Sequence, residues 1–583
     1  MSIQSEAKQG IPIVYGVTGH RDIPESDVPI LYAAVRDFFR DEVRGKYIHT
    51  PVVFLSALAE GADRIAAHAA LEVGCKLGVF LPFATDEYLR DFESESSKAE
   101  FRELLTQAEF VEIAPRLSDT DPNDRDQAYV AVGVAIARYA QCLIALWDGV
   151  PIEKPGGTAD VVRIYRTGVP ALRPMLDDII SEPECGPVVH FLTRRSSNPD
   201  AIPIGEIGLR QFLPPVPSGR TSEMAGMSEL EQSRWDKVFS CIDRFNEDAA
   251  SIPPFDNGHP YTTRYLMPSR ELASQWPIED EKARRIARLY ESADILSMES
   301  QAKRLGYLKQ IIGLTLVAVI FEQFYSGPFA LPVLLAISIV WALVATWRYR
   351  KIGSNRLEEK YLDYRTLAEA ARVQFFWHLS GLPDSPADHY LRDQRDELEW
   401  LRQAIRAIDL PTKTSTPTPS DKIGIQIAVS AWVKDQLGYF HKNAPKQARL
   451  DEKFSRQARR WFFSAIGMVL FTVAFHFCTI AWMPDIDEMV IPSLPVIYGM
   501  LFAISGVIKF YQNVMAYQEH ANRYRKMEFY FQLCNNRIER ALEIDDLPAA
   551  QLLLLMMGRQ ALAENSEWLL LHRQRPIEVP LGG

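Results

Sequence analysis

The chain has few cysteines, and none is arranged for chemistry. Cys75, Cys142, Cys185, Cys241, Cys478 and Cys534 are scattered through 583 residues, with no CxxC pair and no histidine at metal spacing. That sets aside zinc and other metal sites and a disulfide scaffold, and the thiols are expected to be reduced core residues. A basic excess is also missing: 64 Lys and Arg face 75 Asp and Glu, a formal net charge of −11. A broad nucleic-acid surface needs a net positive face to displace counterions from phosphates, so no nucleic-acid partner is expected. No GxxxxGK[ST], HExxH or GxSxG occurs, which removes a P-loop motor, a zincin and an α/β-hydrolase. Dinucleotide binding would need GxGxxG after the first strand, and GVTGHRD does not supply it. The opening residues MSIQSEAKQG contain no apolar export segment, so the first domain is expected to stay in the cytosol.

What is present is segregated. A mean hydropathy of −0.11 averages a soluble first half with later stretches that are almost free of charge. Trp461 to Met483 and Met489 to Tyr511 are each about 23 residues, or about 35 Å of helix, against about 30 Å of bilayer hydrocarbon. The acidic connector Pro484 to Glu488 is long enough only for a hairpin turn. A weaker pair, residues 309–325 and 329–347, precedes it and carries Glu322. That carboxylate reads either as an interfacial group near the turn or as a pore or gating group. Arg304, Lys309, Arg348, Arg350 and Lys351 flank the first pair. Arg456, Arg459, Arg460, Lys509, Arg523, Arg525 and Lys526 flank the second. By the positive-inside bias, four spans in two hairpins then leave both termini in the cytoplasm.

The two hairpins read as one unit used twice, because RVQFFWHLS (Arg372 to Ser380) follows the first and KMEFYFQLC (Lys526 to Cys534) the second. The Pro/Ser/Thr run at 411–420 is expected to be an exposed linker between the units. Each hairpin leads into an apolar stripe near 3.5 spacing: Leu357, Tyr361, Tyr364, Ala368, Ala371 and Phe375, then Val514, Tyr517, Ala521, Tyr524 and Phe531. Such a stripe fits either packing within the chain or a coiled-coil stalk that joins subunits.

Residues 10–195 alternate short apolar runs with amphipathic segments. Strands are expected at Ile13–Val17, Val52–Ser56, Leu77–Leu81, Phe110–Ile113, Cys142–Leu146 and Val188–Leu192, with helices between them. This is the pattern of a parallel α/β sheet, whose ligands bind beyond the carboxyl ends of the strands. Three loops there can hold an anion. Gly16, Thr18, Gly19, His20 and Arg21 follow strand one. Ser56, Glu60, Gly61 and Asp63 follow strand two at a helix start. Trp147, Asp148 and Gly149 follow strand five, with Gly156, Gly157 and Thr158 opening the next helix. Each loop alone is as well explained by a structural turn; all three on one sheet favour a nucleotide-type ligand. Residues 196–280 read only as an irregular extension or linker.

The runs GVTGHRD, SALAEGADRIA and WDG followed by GGTADVV resemble the SLOG superfamily. Its Rossmann-like domains are related to the LOG cytokinin-activating phosphoribohydrolases and to nucleotide-sensing domains of channels and bacterial defence proteins. Residues 281–410 and 426–575, with WVKDQLGYFHKNA ahead of the second hairpin, resemble SLATT two-span modules, joined by a linker at 411–425. The resemblance implies a multi-pass inner-membrane protein, a homo-oligomer that binds a nucleotide-derived second messenger and damages the membrane in antiviral defence. It departs from the hydrolases at Gly156-Gly157-Thr158-Ala159-Asp160, where GGxGT and a following Glu would be sought. No catalytic residue and no cofactor are therefore assigned, although Asp160 is the one acid positioned to replace that Glu. A membrane-tethered hydrolase and a ligand-free scaffold stay open as alternatives.

Overall fold

The computed structural model describes residues 10–116, 124–152, 154–170, 184–216, 228–253, 266, 271, 274–277, 279–390, 395–413, 421–482 and 493–573. A seven-stranded sheet fills the N-terminal part: β1 (Ile13–Gly19), β2 (Val52–Ser56), β3 (Lys76–Leu81), β4 (Ala108–Ile113), β5 (Cys142–Trp147), β6 (Val188–Leu192) and β7 (Arg210–Leu213). The spatial order is β4-β3-β2-β1-β5-β6-β7, parallel throughout except for β7, which pairs antiparallel with β6. β2 is buried at every position and β5 at all but its last. Such continuous burial marks strands covered by helices on both faces. The covering helices include α1 (Val28–Asp37), α2 (Ala62–Glu72), α3 (Glu95–Gln107), α4 (Arg125–Tyr139) and α5 (Thr158–Thr167). α4 starts where Asp124 accepts the N–H groups of Asp126 and Gln127.

The sheet does not end near residue 195. β7 and the 22-residue helix α6 (Ser228–Ala249) come from the segment read as irregular. Asn246 of α6 bridges Ile11 and Thr50, accepting from the Ile11 N–H at 2.8 Å and donating to Thr50 Oγ1 at 3.0 Å. The pattern was hard to read because β7 is only four residues long and half exposed.

The rest of the described chain is helical: α7 (Glu281–Phe324), α8 (Pro332–Ser354), α9 (Leu357–Leu379), α10 (Arg395–Ile408), α11 (Asp421–Ala428), α12 (Lys434–Trp482), α13 (Leu494–Met515), α14 (Tyr517–Glu543) and α15 (Leu547–Arg573). Four helical stretches, containing α7, α8, α12 and α13, are long and apolar enough to cross a membrane. They form two hairpins, α7–α8 and α12–α13. The architecture is thus an α/β Rossmann-like sheet domain followed by an all-α membrane region. The second hairpin's turn, Pro484–Glu488, and the linker residues 414–420 lie outside the described residues.

The two hairpins share a layout. A helix of 44 or 49 residues enters, a span of 22 or 23 returns, and a left-handed non-glycine residue, Arg356 or Ala516, turns the chain into the next helix. The paired nonapeptides do not occupy equivalent places. RVQFFWHLS begins 16 residues past Arg356 and buries Phe375, Phe376 and Trp377, whereas KMEFYFQLC begins 10 residues past Ala516 and leaves Phe529 73% exposed.

Both apolar stripes are spent within the chain. Tyr364, Ala368, Ala371 and Phe375 are buried in the main core with Tyr361 packed against it, and Leu357 is buried in a small cluster with Ile311 and Ile352. Tyr517 stacks on Phe454 at 5.5 Å, the Tyr524 hydroxyl lies 3.3 Å from that of Tyr439, and Phe531 packs on Phe440 at 5.5 Å. A stalk built on these residues is corrected to intramolecular packing. Heptad-like spacing specifies a buried face but not whose helix covers it.

Candidate functional site

The strand order reverses direction between β1 and β5, where ligands of open α/β sheets bind. A cavity of about 320 Å³ opens there. Thr18 and Gly19 line it from the end of β1, His20 and Arg21 from the loop that follows, Asp63 from α2, Trp147 from β5, and Gly156, Gly157 and Thr158 from the turn that opens α5. Sequence reasoning missed Tyr88, Asp126, Tyr129, Lys154 and Arg195, which also line it. Tyr129 and Asp126 sit in the first turns of α4, where a tyrosine on an amphipathic helix gives no signal beyond core packing. The available signal is position: α4 follows β4, so its first turns lie towards the carboxyl ends of the strands, where ligands of such sheets bind.

Six of the expected site residues stand behind the wall instead of lining it. Gly16 lies mid-strand, where an added Cβ would come within 2.5 Å of Ile136. Gly61 has φ of +80° and lets α2 begin against the Arg21 carbonyl. Glu60 accepts from the Ser97 hydroxyl. Ser56 is fully buried; its Oγ accepts the Leu58 N–H at 2.9 Å and lies 3.4 Å from Asp63. Gly149 adopts φ of +81° in the turn after β5, and Asp148 accepts the Val150 N–H at 3.0 Å within that turn.

Of the three expected anion loops, the two that open helices differ. At α2 the first amide is taken, because Ala62 N–H donates to the His20 carbonyl at 3.0 Å. That helix start is closed by the β1 loop, which corrects its reading as a phosphate site. At α5 the N-cap is Gly157 with no capping side chain, and Gly156 holds φ of +69°. The α5 start faces the cavity, with helix-end polarity that favours an anion. Asp160, considered as a replacement acid, instead accepts the Gly156 N–H at 3.0 Å and pairs with Arg163.

Charge is supplied by Arg21, Lys154 and Arg195. Arg195 is tied to Asp22 at 3.1 Å, and the Arg21 guanidinium lies 5.3 Å from the Tyr129 ring centre. Burial pushes the Asp63 carboxyl up to about 6, against the opposing pull of the Ala59 N–H, the Arg21 charge and the Ala57 N–H. Burial also lowers His20 below its ordinary value, outweighing Asp148. His20 Nε2 lies 3.1 Å from the Asp148 backbone nitrogen and 3.2 Å from its carboxylate. The neutral ring accepts from that N–H, and protonation would convert the contact into an ion pair. Tyr88, Tyr129 and Trp147 supply flat apolar walls. The arrangement suits a ligand with an anionic end at α5 and a planar end among the aromatic rings. Among the described residues no His, Cys, Asp and Glu cluster has metal-binding geometry.

No protein-family model and no curated protein sequence matches the chain.

Proposed function

We propose that the protein is a membrane-bound receptor and effector. A nucleotide-derived ligand binds in the cavity at the ends of β1 and β5, and binding makes assembled subunits permeabilise the membrane. The supporting observation is the joining of an anion-competent, aromatic-walled cavity to four membrane-crossing helices in one chain. The resemblance to SLOG and SLATT modules points the same way and adds antiviral defence, an inner-membrane address and cytoplasmic termini to the reading. Four spans per chain are too few to enclose a wide aqueous path, so the effector is a homo-oligomer.

Binding is tested on the full-length protein in detergent, titrated calorimetrically with nucleoside monophosphates, ADP-ribose and cyclic nucleotides. Gly157→Glu places a carboxylate at the α5 start. Gly157 has φ of −76°, open to any residue, and the nearest neighbour of an added Cβ is the Lys154 carbonyl at 3.1 Å, so the loop must give by a few tenths of an ångström to accept the side chain. The expected result is saturable binding by the wild type and a loss of about a hundredfold or more in the variant, from repulsion in a partly buried cradle. Turnover of a ligand would favour the hydrolase, and absence of binding across the panel would favour the scaffold.

A further inference from the structure

A second cavity, of about 260 Å³, lies in the membrane-crossing part, between α7 and α8. Its polar lining is Thr315 and Glu322 from α7 with Ser338, Thr346 and Tyr349 from α8. No Lys, Arg, His, Asn or Gln lines it, so it offers no nitrogen donor to an anion. The hydroxyls point the same way. Ser338 donates to the Ala318 carbonyl at 2.9 Å and Thr346 to the Ala342 carbonyl at 2.9 Å. With their hydrogens committed to the helix backbone, both oxygens have only lone pairs left to offer. The Glu322 carboxylate accepts from Gln323 Nε2 at 3.0 Å, and the Ser326 hydroxyl lies 3.4 Å away, yet no basic side chain among the described residues pairs with it. From Ile311 to Glu322 the lining runs eleven residues along α7, about 16 Å, which is more than half the hydrocarbon thickness. The second hairpin has no counterpart: Trp461–Trp482 and Leu494–Tyr511 contain neither Asp nor Glu.

We propose that this groove is a cation pathway and that Glu322, near the hairpin turn, is its binding site for an alkali-metal cation. Carboxylate, hydroxyl and phenol oxygens are the ligands hard cations take, and acidic side chains lining a pore select for cations. A carboxylate without a basic partner in a membrane-crossing helix is retained where it meets water or an ion. The proposal rests on the membrane-permeabilising reading for its purpose, but the site itself is testable without it.

Full-length protein in liposomes is treated with dicyclohexylcarbodiimide, which modifies carboxyls in apolar, proton-accessible settings. Modification is located by peptide mass mapping, in potassium or in choline buffer of equal ionic strength. The expected result is labelling of Glu322 that potassium slows roughly tenfold, and none in Glu322→Gln. Labelling at the same rate in both buffers, or none at Glu322 in choline, would overturn the site. A second arm reads reversal potentials across a potassium chloride gradient. Glu322→Gln is expected to lose most of the cation preference, Glu322→Asp to keep it, and nucleotide affinity to stay unchanged in both. Currents whose selectivity ignores Glu322 would refute the pathway while sparing the pore. Absence of any current would refute the pore and leave the labelling result to decide the site.

Discussion

Asp63 and His20 are the two groups of the sheet-end cavity through which pH adjusts the charge that Arg21, Lys154 and Arg195 supply. With the Asp63 carboxyl near 6 and His20 below its usual value, the cavity at pH 7 holds a carboxylate beside Arg21 and a neutral imidazole. Acidification through 6 neutralises Asp63, and burial delays the charging of His20 to below its usual range; both steps favour an anion. A phosphodiester nucleotide, whose own charge is constant here, should therefore bind roughly three- to tenfold more tightly at pH 5 than at pH 7. Asp63→Asn should remove most of that difference; calorimetric titrations at the two pH values check both. Stability follows the opposite-sign rule for the two groups. The raised Asp63 favours the native state increasingly as pH falls from 7 through 6 towards its unfolded value, whereas the depressed His20 disfavours it once the unfolded imidazole protonates below about 6.5. A pH-independent affinity would contradict the placement of Asp63 beside the ligand.

At the scale of elements, the sheet and the helices are joined by buried polar contacts. Gln141, fully buried, accepts the Val14 N–H of β1 at 3.1 Å and donates to the Gln403 carbonyl of α10 at 3.0 Å. Gln141→Ala orphans both groups and should lower stability by about 1–3 kcal/mol, measured by chemical denaturation of the detergent-solubilised protein. The strands were legible because parallel, doubly covered strands write themselves as unbroken apolar runs, as in VVFLS and CLIALW, and α4 was legible from its period and its Asp124 cap. β7 was not, since four half-exposed residues carry no period. The site was legible where loops follow strands, at Thr18 to Arg21 and Gly156 to Thr158. It was illegible where a wall comes from another helix's first turns, as with Tyr129, because only the tertiary approach of α4 to the β1 loop turns it into a lining residue. Tyr524 and Phe531 misled for the converse reason: their spacing announced a contact, and the partner proved to be the chain's own α12. Hairpin topology is tested with single cysteines. Gly327→Cys, in the turn between α7 and α8, should react with an impermeant thiol reagent outside intact cells, and Lys413→Cys only after permeabilisation. The reverse pattern would invert the orientation.

Across the whole molecule, one continuous hydrophobic core runs from Ile11 in the sheet domain to Leu569 in α15. The sheet and the described helices therefore share one packed core, so a rearrangement at the ends of β1 and β5 has packed neighbours through which to act. Asp248 of α6 receives Lys360 at 2.7 Å and Tyr364 at 2.6 Å from α9, and the Trp377 indole of α9 donates to the Leu554 carbonyl of α15 at 3.2 Å. Under the proposed function, ligand binding would reach the membrane only to the extent that the ligand discriminates between two arrangements of these packed bodies, and a shift of one subunit against another would supply such a pair of states. The direct test is dye and ion efflux from sealed liposomes carrying the full-length protein, with the nucleotide identified by calorimetry added to saturation. The account predicts efflux that follows the binding curve and is absent in Gly157→Glu at the same concentration. Liposomes that stay sealed while the wild-type site is saturated would contradict it.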